Sequence, residues 1–195
     1  MKSLFSTTCL ILCLLALAVG ASAQQQLNFS NLPLVNSPSP MPNGYGNLSW
    51  GNFFYVDPFE WSGAGNGYKL GPQGEDVAFI GGEFCRLSGN TCYGTLSDSA
   101  GFQLVNAKVA GGFSSASVTA IAYNNGAYVG TANFFVGTQM ETLNFPSSWG
   151  VVTDVTLQVT GQTNDLVVYD VSLYTVIQDP PPNGSPVQDP PPPGN

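Results

Sequence analysis

Apolar and polar residues alternate along much of the chain between residues 27 and 176, which is the pattern of strands that bury one face. The pattern is clearest at 155–160, where Val and Leu alternate with Thr and Gln. Clusters of Gly, Asn and Pro separate the runs. We predict strands at 27–30, 50–56, 77–80, 102–110, 117–123, 128–136, 151–160 and 166–176.

The connections between these runs favour antiparallel pairing. Asn124-Asn125-Gly126 lies between two of the runs and is typical of a tight hairpin turn. About eight short strands in one domain of this size predict an all-β fold, a single antiparallel β-sandwich of jelly-roll type.

Both ends of the chain differ in composition from this domain. Residues 1–23 combine Lys2, a short apolar run and Ala21-Ser22-Ala23, which predicts a secretory signal peptide; a membrane anchor is the alternative. Residues 178–195 repeat Gln-Asp-Pro-Pro-Pro and predict a disordered, proline-rich tail, either a spacer or a proline-motif ligand. The β-sandwich domain is therefore expected at 24–177, secreted and extracellular, with no membrane span in the mature chain.

Charge and composition exclude several functions. The chain has no histidine, which excludes Ser-His-Asp and Cys-His catalysis and His-ligated zinc or copper. It has 12 acidic and 4 basic residues, so it lacks the positively charged surface that binding of nucleic acid or anionic lipid requires. Neutral ligands or hard cations suit this charge better.

Two kinds of covalent modification are predicted. Cys85 and Cys92 are the cysteines that remain after removal of the signal peptide, and in an oxidising compartment we expect them to form a disulfide. Metal or redox use of these cysteines is the weaker alternative. Three sequons, at Asn28, Asn47 and Asn183, can carry N-glycans in a eukaryotic host.

Residues 43–68 are rich in aromatic side chains and suggest two roles. Alternation at 50–56 places at least half of these rings, Trp50 among them, in the core. From Asp57 onward, Gly and Pro predict a long loop, whose rings either stack on a ligand or cover the core. The candidate ligand-binding residues are Trp61, Tyr68, Asp57, Glu60 and Asn66.

Two of these loop residues are carboxylates with more than one possible use. Asp57 and Glu60 could form a glycosidase pair, ligate calcium, or be solvated. A spacing of three in a glycine-rich loop fixes no distance, so we assign no catalytic residue. We expect truncation of Trp61 to leave the fold intact and to reduce ligand affinity.

Asp170 interrupts the otherwise apolar run at 166–176. It either faces solvent near a sheet edge or belongs to a calcium site. In the second case, backbone carbonyls and an oxygen ligand near the first strand, such as Asn28, would complete the site. No other cofactor is expected.

Short motifs in order along residues 27–176 resemble a family of secreted, carbohydrate-binding-module-like β-sandwich proteins of fungi and bacteria. The opening block, "NGYGNLSWGNF", is similar to that family's NGYxGLxWxxF start, and Gly67-Tyr68 and Val77-Ala78-Phe79 to its next block. Tyr169-Asp170-Val171 resembles its closing strand, in which the aspartate of related modules often binds structural calcium. Tyr169 departs from the pattern, since a second acidic residue is frequent at that position.

These observations favour a secreted, non-catalytic, carbohydrate-binding-like domain that acts on the polysaccharide of a cell wall or matrix. A structural or adhesive surface protein without a small ligand is the first alternative. A glycoside hydrolase or lyase is the second.

Overall fold

The computed structural model describes residues 22–81, 91–163 and 165–176. The described residues form eleven strands, and every pairing between them is antiparallel. The strands are β1 (Ser22–Leu27), β2 (Ser39–Pro40), β3 (Ser49–Gly51), β4 (Phe54–Val56), β5 (Val77–Ile80), β6 (Thr91–Gly111), β7 (Ala116–Asn124), β8 (Ala127–Val136), β9 (Glu141–Asn144), β10 (Val152–Gly161) and β11 (Leu166–Val176).

The strands form two layers joined by β6. The first half of β6 pairs with β3 and β10, and β7 and β8 extend that sheet. The second half pairs with β9 and β11, and β11 in turn pairs with β1 and β5. β11 thus separates β5 from β6, and β10 separates β6 from β7. This nested order confirms the predicted all-β antiparallel sandwich of jelly-roll type.

β6 bends where it passes from one sheet to the other. Across the bend, Val152 and Asp154 of β10 pair with Phe102 and Ser97, so four residues of β6 have no partner in this ladder. Gly101 has a φ of +88°, a conformation that side chains other than glycine adopt only with strain. Before the bend, Cys92 and Leu96 face the core; after it, Leu104 and Ala107 do.

The main core lies between the two sheets. The alternation predicted for 155–160 is confirmed, because Val155, Leu157 and Val159 are all buried in it. Asn125 and Gly126 both have positive φ between β7 and β8, which confirms the predicted hairpin.

The predicted strand at 50–56 is two strands, because Asn52 has a φ of +57° and interrupts it. The interruption changes which side chains point inward: Trp50, Phe53 and Tyr55 all join the main core, and Phe54 faces away from it. The prediction of simple alternation across residues 50–56 was therefore wrong, although Trp50 is a core residue as predicted.

Other differences lie at strand boundaries. The first strand ends at Leu27 rather than continuing to residue 30, and β2 and β9 carried too little alternation to be predicted. β6 begins at Thr91, well before the predicted residue 102. β1 begins at Ser22, so the predicted signal-peptide boundary after residue 23 falls inside it, and cleavage there stays a prediction. The proline-rich tail lies outside the described residues.

None of the described residues belongs to a helix with the length and apolar character that a membrane span requires. The helical segments described are short 3-10 turns at Tyr45–Asn47, Asn66–Leu70 and Ser147–Trp149.

Trp50 should contribute strongly to stability. Its ring is 5% exposed and contacts Phe53 edge-on at 5.0 Å, and its Nε1 donates a hydrogen bond to the Tyr45 carbonyl oxygen at 2.8 Å. We expect Trp50→Ala to lower the free energy of unfolding by about 3–5 kcal/mol. Urea denaturation measures this. Tyr128→Ala, which removes a ring that is 63% exposed, is the control and should change stability little.

Candidate functional site

The loop between β4 and β5 folds back over the outer face of the sheet that contains β11. It covers a second, smaller core, whose buried members are Val56, Tyr68, Val77, Phe79, Ala110, Val167 and Tyr169. Trp61 lies over this cluster, stacked on Phe79 at 5.9 Å and 16° and edge-on to Tyr68 at 5.2 Å. Of the two roles suggested for the loop rings, covering a core is therefore the one observed for Trp61 and Tyr68.

Tyr68 was predicted to contact a ligand, and the structure contradicts this. Its side chain is fully buried, and burial raises the pKa of its hydroxyl far above the ordinary value. A ring with no exposed face cannot stack on a sugar.

Close backbone packing explains why Gly precedes Tyr68. Gly67 donates a hydrogen bond to the Gly112 carbonyl oxygen at 3.0 Å, and its own carbonyl accepts one from the Tyr169 hydroxyl. A Cβ on Gly67 would lie 1.9 Å from the Gly111 carbonyl oxygen. Burial also raises the pKa of Tyr169 to about 12, so its hydroxyl remains a donor at physiological pH.

The turn at 57–61 directs its side chains to two different places. Asp57 Oδ1 accepts a hydrogen bond from the Phe59 backbone N–H at 2.9 Å, and the Trp61 N–H reaches the Asp57 carbonyl at 3.0 Å. These bonds close a helix-like turn. Phe59 and Glu60 then line an open groove, and Trp61 packs on the second core.

The groove has a volume of about 710 Å³ and lies beside β2 and β4. One wall is the segment 34–39, which the Asp57 N–H anchors by donating to the Val35 carbonyl oxygen at 2.9 Å. The opposite side is formed by the 57–60 turn and by Gln73-Gly74. Its polar lining consists of Asn36, Ser37, Ser39, Asp57, Glu60 and Gln73.

The groove contains two of the five predicted ligand-binding residues. Asp57 and Glu60 line it, whereas Trp61, Tyr68 and Asn66 do not. Phe59 supplies a half-buried ring, and the segment 34–39 was not predicted to contribute. Only the pairing of β2 with β4 brings that segment beside the turn, so alternation along the sequence could not identify it.

A second carboxylate lies behind Asp57. Asp76 precedes β5 and is 2% exposed, and burial raises its pKa to about 6. The charge of Asp57 adds to this rise, and the nearby Val35 backbone opposes it in part. The sequence pattern does not identify Asp76 as a partner of Asp57, since their proximity depends on the pairing of β4 with β5.

Asp170 is buried rather than solvent-facing. Its Oδ2 lies 2.7 Å from Lys108 Nζ and accepts a hydrogen bond from Gln26 Nε2 at 3.3 Å. A bulge in β11 at Tyr169 reverses the alternation, so that Val168 and Val171 both join the main core and Asp170 points away from it.

These partners donate hydrogen bonds, whereas calcium requires oxygen ligands, so the surroundings of Asp170 suit a salt bridge better. Asn28 is exposed and accepts a hydrogen bond from the Ser30 hydroxyl at 2.9 Å. Calcium at Asp170 and Asn28 stays a prediction.

The modification sites remain predictions as well. Cys92 is fully buried, and Cys85 lies outside the described residues. Asn28 and Asn47 are exposed, and Asn47 borders a second, polar recess of about 460 Å³ with Asp98 and Asp154. Asn183 lies outside the described residues.

No protein-family model matches this chain, and no curated protein sequence matches it. Among solved structures, a DUF4465 family protein from Bacteroides caccae is similar, with 11% identity, a TM-score of 0.47, and coverage of 82% of this chain and 96% of its own. TmCBM61 in complex with beta-1,4-galactotriose is similar, with 14% identity, a TM-score of 0.36, and coverage of 66% and 87%. At these values neither similarity identifies a site residue.

Trp61→Ala should lower stability, contrary to the sequence-based expectation. The change removes a ring that stacks on Phe79 and contacts Tyr68, so we expect a loss of about 1–3 kcal/mol in the free energy of unfolding. Thermal and urea denaturation measure this. Trp61→Phe should retain part of the stability, and an unchanged melting temperature for Trp61→Ala would show that the ring does not stabilise the second core.

Stability should fall as the pH rises from about 4 to 6 because of Asp76. Its pKa is about 6 in the folded protein and 3.8 for an unburied carboxyl, so the folded state binds more protons between these values. Raising the pH therefore costs stability in this window. The measurement is urea denaturation at a series of pH values with chelator present. Asp76→Asn should remove the fall in the free energy of unfolding between pH 4 and 6, whereas Glu75→Gln should retain it.

Proposed function

We propose that this protein is a secreted, non-catalytic, carbohydrate-binding-like domain that acts on polysaccharide at an extracellular wall or matrix. The groove beside β2 and β4 is the binding site. The observation that carries this proposal is the groove's combination of a phenylalanine ring with hydroxyl, amide and carboxylate groups in a volume of about 710 Å³.

Such a lining suits neutral sugars. A pyranose ring offers apolar C–H faces to an aromatic side chain and hydroxyls to polar groups. Phe59 can provide the first contact, and Glu60, Asn36 and Gln73 the hydrogen bonds. The net charge of −8 at neutral pH also disfavours anionic ligands.

The contacts around the carboxylates support binding rather than hydrolysis. Glycosidases require an acid and a base or nucleophile at a set separation across the scissile bond. Asp57 uses one carboxylate oxygen to hold its own turn, and Glu60 is exposed on the next part of that turn. Neither arrangement fixes an acid–base pair across the groove.

Phe59→Ala should reduce polysaccharide binding at least tenfold without changing the melting temperature. The assay is a pull-down of the mature protein with a panel of insoluble polysaccharides, followed by affinity electrophoresis with any soluble glycan that binds. Glu60→Gln should weaken binding less, because an amide retains one acceptor.

Phe135→Ala is the matched control, since this phenylalanine is 71% exposed on β8, away from the groove. Equal affinities for Phe59→Ala and Phe135→Ala would exclude the groove as the site. Association with wall material that free sugars fail to displace would favour the adhesive alternative.

A further inference from the structure

Two buried aspartates lie side by side where β4 and β5 end. Val56 and Val77 are cross-strand partners, Asp57 follows the first and Asp76 precedes the second. Continuing the antiparallel register places the two carboxyl-bearing residues opposite each other. Asp57 is 4% exposed and Asp76 is 2% exposed, so water solvates neither side chain well.

No cationic side chain of the described residues compensates the charge of this pair. Both carboxylate oxygens of Asp76 are buried and lack a donor in good hydrogen-bond geometry, although the Val35 backbone is near enough to lower the pKa in part. Within the described residues, the ion pair observed is between Lys108 and Asp170, and no lysine or arginine pairs with Asp57 or Asp76. A buried carboxylate without a partner is costly, and two like charges placed opposite each other add to that cost.

We propose that Asp57 and Asp76 bind a calcium ion at the inner side of the groove. Calcium is a hard cation that takes carboxylate, carbonyl and water oxygens in a flexible geometry, and two carboxylates neutralise its charge. Asp57 lines the groove, so the ion can enter from solvent and keep water ligands there. Asp76 contributes two buried oxygens that lack a well-aligned donor within the described residues.

The burial of Asp76 and the repulsion from Asp57 also raise its pKa to about 6. The other charged side chain of the groove lining is Glu60, which is exposed.

The test is a calcium titration of the mature protein after treatment with EDTA. A dissociation constant of about 0.1–1 mM is expected for a site with two carboxylates, in the range of extracellular calcium modules. Calcium at one hundred times that constant should raise the melting temperature by about 5–10 °C. Isothermal titration calorimetry measures the same binding without unfolding the protein.

Variants distinguish calcium binding at Asp57 and Asp76 from binding at other carboxylates. Asp76→Asn and Asp57→Asn should each abolish the calcium response, and Asp76→Asn should raise the melting temperature in EDTA at pH 7.5 because it removes the repulsion. Glu75→Gln makes the same change of net charge beside the pair and should leave the response intact.

Three results would overturn the proposal. The first is an absence of calcium binding by calorimetry together with an unchanged melting temperature for the wild-type protein. Asp57 and Asp76 would then be a carboxyl pair that shares a proton. The second is a calcium response that survives Asp76→Asn and disappears in Asp170→Ala, which would move the ion to the other predicted site. The third is an equal loss of response in Glu75→Gln, which would indicate nonspecific charge screening.

Discussion

β6 must supply backbone hydrogen bonds to both sheets, and the rest of the fold depends on the bend that allows this. Its first half carries β10, through which β7 and β8 attach, and its second half carries β11, through which β1 and β5 attach. A residue with a Cβ at position 101 would place that atom 2.6 Å from the Val151 side chain. It would also have to adopt a φ of +88°, which strains any residue other than glycine. One backbone position thus sets how the two layers enclose the main core.

The loop after β4 both covers the second core and lines the groove. Its large apolar rings at Trp61 and Tyr68 cover the second core, and its polar residues and Phe59 line the groove. Hydrogen bonds hold the loop in place, because the Tyr169 hydroxyl of β11 donates to the Gly67 carbonyl oxygen and Gly67 N–H donates to the carbonyl oxygen of Gly112, which follows β6. These bonds, with the one from the Asp57 N–H to the Val35 carbonyl oxygen, hold the loop beside the groove, which reduces the entropy that a ligand must overcome on binding.

Sequence patterns predicted the fold class better than the site. Alternation at 155–160 and the turn at Asn125 depend on local backbone preferences, and both were predicted correctly. The interruption at Asn52 and the bulge at Tyr169 each move later side chains to the opposite face, and no alternation rule signals them. The Asp57–Asp76 pair depends on strand pairing between distant segments. For the aromatic residues of the Gly-rich loop, the sequence left ligand contact and coverage of the core both open, because what a loop covers depends on the folded chain.

The pairing of β1 with β11 places Gln24, the first residue after the predicted signal peptide, opposite Tyr174 near the end of the described chain. Hydrogen bonds in an antiparallel pair run perpendicular to the strands. A tensile load applied between these two residues would therefore act on one hydrogen-bonded pair at a time and open the pair like a zipper, rather than shear all the bonds at once. We therefore expect the domain to open at low force when it is pulled by these two residues.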